Sequence, residues 1–134
     1  MKKVLALFIF CLSFQYVSAQ TTDFQSNPQL VMEEIFRAAN EGDYATLSQL
    51  CPPDNSNDGD TQKYICDIAS GSESDKTEFL SYFKGAKLNG EIEYSDGGQT
   101  ATVPFWFNHP GGKSRSNETM NMVKIDGKWY LSSF

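Results

Sequence analysis

The sequence predicts an α+β domain in which helices come first and an antiparallel meander follows. Three observations predict it. Apolar residues recur at helical spacing from Leu30 to Phe83. From Gly85 they alternate with polar ones, which is the period of a strand. Turn signals at Asp96-Gly97-Gly98, Asn108 to Gly112 and Asp126-Gly127 divide that second half into four strands. A chain of 134 residues suits one domain, taken here as 20–134.

Asn27 is placed to cap a first helix, with Pro28 at its first position, where a missing N–H costs nothing. Leu30, Val31, Ile35, Ala38 and Ala39 form its apolar stripe, Met32 and Phe36 widen it, and Gly42 ends it. Asp43 is expected to cap a second, shorter helix through Leu50, stopped by Pro52-Pro53. A polar loop over 52–60 precedes a short helical piece around Cys66, which Gly71 breaks. Asp75-Lys76-Thr77-Glu78 has capping-box spacing before a third helix carrying Phe79, Leu80, Tyr82 and Phe83. The first strand reads as one piece with Leu88, Ile92 and Tyr94 on one side. The second places Ala101, Val103, Phe105, Phe107 and His109 on one face and Thr102, Pro104 and Trp106 on the other. Pro104 lacks a ladder donor and marks an edge or a bulge. Met120 and Met122 share a face of the third strand, and Trp129 and Leu131 a face of the fourth.

The first nineteen residues read as an address. Lys2 and Lys3 precede the apolar run from Val4 to Phe14, and Val17-Ser18-Ala19 supplies the small residues of a cleavage site. Cleavage after Ala19 predicts an exported protein, periplasmic or secreted, with no membrane span. The run is too short to cross a bilayer, and Phe8-Ile9-Phe10 before Cys11 is too bulky for lipoprotein processing. The chain has 11 basic and 17 acidic residues, net −6; without Lys2 and Lys3 the balance is 9 to 17, net −8. Such a surface does not neutralise phosphates, so nucleic acid is not an expected partner.

Removal of the leader takes Cys11 with it and leaves Cys51 and Cys66, an even pair in an oxidising compartment. A disulfide is expected, closing a loop with no apolar residue between Pro53 and Asp60 to pin it. Two thiols and one distant histidine fall short of a zinc site, and no cofactor is expected. Asp54, Ser56, Asp58 and Gly59 match the first half of a calcium loop, but Ile65 stands where the bidentate glutamate belongs, so a turn-rich solvated loop is the expectation. Asn117-Glu118-Thr119 is a glycosylation sequon, relevant only to a eukaryotic secretory route.

Two stretches carry a resemblance. Phe36-Arg37-Ala38-Ala39-Asn40-Glu41-Gly42-Asp43-Tyr44-Ala45-Thr46-Leu47 resembles the helix, Gly-Asp, helix opening of the nuclear transport factor 2-like superfamily. Val123-Lys124-Ile125-Asp126-Gly127-Lys128-Trp129-Tyr130-Leu131 resembles its closing hairpin; Thr100-Ala101-Thr102-Val103 sits where the family's central strand would start. The resemblance implies three helices on a strongly curved four-stranded sheet, a cone with a cavity between the layers. Family members include enzymes, scaffolds and binding proteins, so fold alone does not decide function.

On that frame the inward residues are Tyr94, Phe105, Phe107, Met120, Met122 and Trp129, with His109 at the rim. They read either as core filling or as the lining of a site for a small apolar ligand. No Asp or Glu is expected on the inward strand faces, so no catalytic residue is assigned. The expectation is a non-catalytic domain that binds a small apolar ligand or a protein partner. The alternatives are an isomerase or dehydratase using the cavity and an interaction module acting through the outer sheet face. His109 is a rim residue or a general base. Trp106 faces outward, where the resemblance implies a homodimer surface or a side chain covered by a neighbouring segment.

Overall fold

The computed structural model describes residues 23–108 and 114–134. The expected leader and cleavage site, and His109 with the turn expected after it, lie outside the described residues.

Helix α1 spans Pro28–Glu41 as expected: the Asn27 side chain accepts from the Leu30 N–H, and Gly42 closes the helix at φ 68°. That left-handed conformation favours glycine. The second helix is not formed as predicted. Asp43 accepts from the Ala45 N–H at 3.2 Å, and only a single 3₁₀ turn, Leu47–Leu50, follows. Pro52 explains where it stops, because the residue before proline is pushed to extended backbone; Cys51 sits at φ −89°, ψ 148°. The helix falls later. Asp58 caps α2, Gly59–Thr61, which runs on into the π-turn Gln62–Cys66. The polar loop is therefore shorter than expected, and the Asp58 N–H pins its end to the Ser132 carbonyl at 2.9 Å.

Helix α3, Glu73–Phe83, starts three residues earlier than the sequence pattern places it. Ser72 and Asp75 form the reciprocal capping box, each bonding the other's N–H. Its apolar side buries Phe79 and Phe83.

Five strands form an antiparallel sheet: β1 (Lys87–Leu88), β2 (Glu93–Ser95), β3 (Thr100–Asn108), β4 (Arg115–Ile125) and β5 (Lys128–Ser133). Hydrogen bonding follows the order β1-β3-β4-β5, with β2 also on β3. The predicted first strand is split in two. Leu88 pairs with Phe105 and Glu93 with Thr102, so the four residues 89–92 stand opposite only 103 and 104. Pro104 is the cause: a strand residue's N–H and C=O point to the same edge, and here the C=O accepts from Asn89 at 3.0 Å while the N–H is missing. Gly90, at φ 110°, lies where an added Cβ would sit 3.5 Å from the Pro104 ring.

The helices pack on one face of the sheet, where Ala101, Val103, Phe105 and Phe107 of β3 join Met120, Met122, Trp129 and Leu131, all buried. Phe36 of α1 and Phe83 of α3 both meet Phe105, at ring distances of 6.1 and 5.9 Å. Cys51 and Cys66 form the expected disulfide, Cα to Cα 6.1 Å.

Candidate functional site

The covered sheet face is an aromatic and methionine layer. Phe105, Met120 and Met122 are at most 1% exposed, and Phe107 and Trp129 are nearly so. Tyr94 departs from its expected place: it shares the side of its partner Ala101 but is 55% exposed, standing edge-on to Trp129 at 5.9 Å. The expectation of an uncharged face also needs correction. Register sets Glu118 opposite Phe105 and Lys124 opposite Trp129, so both share that face at opposite ends. Glu118 is exposed and Lys124 half-buried, where water solvates their charge. Alternation counted from Met120 carries this signal in the sequence.

A cleft of about 180 Å³ opens in front of this layer, between the α2 and π-turn segment and α3. Tyr64, Ile65, Phe79, Tyr82, Phe83 and Phe134 are its apolar walls. The rings of Phe79, Tyr82, Phe83 and Phe134 form one connected cluster. Phe79 meets Phe83 at 5.0 Å, and Phe134 meets Phe83 at 5.4 Å and stands edge-on to Tyr82 at 5.3 Å. Tyr82 packs on Phe107 at 4.8 Å. Two expected ligand residues, Phe105 and Phe107, thus form the layer behind the cleft. Met120, Met122 and Trp129 are core beyond it, and none of these five lines the cleft. The sequence pattern names Tyr64, Ile65, Phe79, Tyr82 and Phe83 as helix-packing positions; what it lacks is that two helical segments leave a gap between them.

Asp60 and Glu78 complete the lining, and among the described residues no cation lines it. Charge is concentrated elsewhere. Arg37 reaches Glu34 and Glu41, each at 2.6 Å, and Asp43 at 3.3 Å, and Thr46 donates to Glu34. The hydrogen-bonded Arg37 guanidinium holds the Glu34 carboxyl below the usual glutamate range; partial burial opposes this and the Thr46 hydroxyl adds to it. This cluster ties α1 to the Gly42-Asp43 turn.

On the outer face, Trp106 is half-buried and the Arg115 guanidinium lies 3.9 Å over its ring. Around it run side-chain pairs: Thr102 donates to Asn121, Asn121 to Ser133 and Asn89 to Asn117. Among the described residues no group of His, Cys, Asp and Glu is placed to hold a metal, and no helix is long and apolar enough to cross a membrane. In the polar loop, Asp58 accepts from the Thr61 N–H and Asp54 from the Ser56 N–H, so both carboxylates serve local backbone.

No protein-family model matches the chain, and a search of curated proteins finds no match.

Proposed function

We propose that the chain is an exported, non-catalytic binding domain of the nuclear transport factor 2-like type, and that its aromatic cleft takes a small apolar ligand. The cleft between α3 and the π-turn carries the proposal. Its volume of about 180 Å³ is close to that of apolar cavities that accept a single benzene ring, about 150 Å³. It is well below the roughly 300 Å³ at which drug-sized sites begin. The ligand is therefore one ring or a short alkyl chain. The disulfide supports export, since such bonds persist in oxidising compartments, and the leader-like first nineteen residues supply the route.

An enzyme reading would need a proton-transferring pair aimed at one ligand position. Asp60 and Glu78 of the lining are both exposed. Native mass spectrometry of the protein exported by its own host tests the proposal. A retained small apolar molecule is expected on a chain lacking residues 1–19. A ligand-free stable dimer would favour instead an interaction module acting through the face around Trp106.

A further inference from the structure

A second cleft, about 450 Å³, lies beside β5 and shares no lining residue with the aromatic one. In a chain with 17 acidic residues, none of its lining residues among those described is acidic. Carboxamides dominate it: Gln25, Gln49, Asn55 and Gln62. Tyr130 supplies a ring, Pro52 and Pro53 an apolar wall, and Lys128 the single formal charge.

We propose that this cleft binds a short saccharide bearing a carboxylate. The lining chemistry selects that class. A cationic ligand would need acids, a polyphosphate would need several cations, and an apolar ligand would strand the amides. A carboxamide both donates and accepts, which matches neighbouring sugar hydroxyls. The Tyr130 ring offers a flat apolar surface to the C–H face of a pyranose. Lys128 lies two residues from Tyr130 on the same side of β5 and is placed to meet a sugar carboxylate.

Two of the four amides, those of Gln25 and Gln62, are held in position before any ligand arrives. Gln25 is 6% exposed, and its side-chain N–H groups go to the Gln49 carbonyl at 3.0 Å and the Trp129 carbonyl at 3.2 Å. That commits its donors and leaves its carbonyl oxygen as the acceptor for a ligand hydroxyl. Gln62 accepts from Asn57 at 3.2 Å and donates to Asp67 at 2.8 Å. The Asn55 N–H donates to Pro52 at 3.1 Å across a tight turn. The disulfide joins the walls: Cys51 adjoins Pro52, and Cys66 ends the π-turn that begins at Gln62. Fixing the walls in advance lowers the ordering cost of binding.

The test is calorimetric and amide-NMR titration of the full chain with digalacturonic acid and with its neutral counterpart, digalactose. The acidic sugar should bind about fivefold tighter, as one solvent-exposed ion pair allows, with shifts confined to the cleft. Lys128→Gln should abolish that preference, bringing the acidic sugar to about the affinity of digalactose for the same variant. Tyr130→Ala should weaken both sugars roughly tenfold with the near-UV spectrum retained. Gln62→Ala, on a different element, should weaken both as well and serves if Tyr130→Ala fails to fold. Absence of binding, shifts centred elsewhere, a preference that survives Lys128→Gln, or tighter binding of a short acidic peptide at the same residues would each overturn the proposal.

Discussion

Gln25 holds the outer edge of β5 by bonding both the N–H and the C=O of Trp129. The Trp129 N–H donates to the Gln25 carbonyl at 2.9 Å, and the Gln25 side chain donates back to the Trp129 carbonyl at 3.2 Å. One residue thereby does what a neighbouring strand would do, and it covers an edge that would otherwise be open to pairing. Gln25→Ala removes the side-chain bonds to Trp129 and Gln49 and leaves their carbonyls short of a donor. It should cost about 1–3 kcal/mol, read as a lower denaturant midpoint at unchanged slope.

The disulfide closes the loop that carries Pro52 to Asp60. Replacing both Cys51 and Cys66 by Ser should lower stability by about 3 kcal/mol, measured by denaturant unfolding. The Asp58 to Ser132 bond remains in the variant and should keep the loop end docked, so amide exchange should rise most between Pro53 and Asn57. Uniform acceleration across the domain would show that the staple holds the fold rather than the loop.

Thr61 is 1% exposed and its hydroxyl has no hydrogen-bond partner among the described residues. Thr61→Val keeps the shape and removes the unsatisfied group. Stability should rise by about 1 kcal/mol, a shift of roughly 3–5 °C in Tm for a domain of this size. A fall in Tm would mean that the hydroxyl bonds a buried water.

Strand register makes Trp106 and Phe107 behave oppositely. Phe107 is 4% exposed and packs on Tyr82, so Phe107→Asp buries an unpaired charge and should cost several kcal/mol or prevent folding. Trp106→Asp loses the ring under Arg115 but leaves a carboxylate beside that guanidinium, and the monomer should remain folded. Thermal unfolding and sedimentation of both variants check this; a folded Phe107→Asp beside an unfolded Trp106→Asp would invert the register.

Glu34 sets part of the acid response. Its carboxyl is held below the usual range by Arg37, so in acid the unfolded chain takes up this proton before the folded one does. The associated stability is present at neutral pH and is lost as pH falls from about 5 downward. Arg37→Gln should flatten the loss between about pH 5 and 3. Asp75, lowered by its hydrogen bonds to Ser72, should keep its own contribution in that variant. Identical acid slopes would exclude the Arg37 pairing as a source of acid sensitivity.

The sheet was legible where side chains alternate cleanly. Val103, Phe105, Phe107, Met120, Met122, Trp129 and Leu131 all occupy the buried positions that period 2 assigns them. The helical half was legible only where caps were unambiguous. Asn27 and Gly42 bound α1 as read, whereas Asp43 closed a local turn instead of a helix and Ser72 competed successfully with Asp75 as a cap. Such residues bond nearby backbone in more than one way, and tertiary contacts choose. The aromatic cleft was hidden for a different reason. Its walls come from 64–65, 78–83 and 134, and periodicity describes one element at a time. Pairing parity named Cys51 and Cys66 without any geometry.

Titration of the full chain with p-cresol, followed by aromatic and methyl NMR, tests most directly whether the cleft between α3 and the π-turn is a ligand site. Saturable shifts should centre on Tyr64, Ile65, Phe79, Tyr82 and Phe134, with little change between low and high salt, because the affinity comes from buried apolar surface rather than charge. Phe79→Ala would leave the cleft misshapen, and Ile65→Val should lower affinity by only a few fold while the protein stays folded. Absence of saturable shifts at these residues, or binding that weakens steeply with salt, would contradict the proposed role of the cleft.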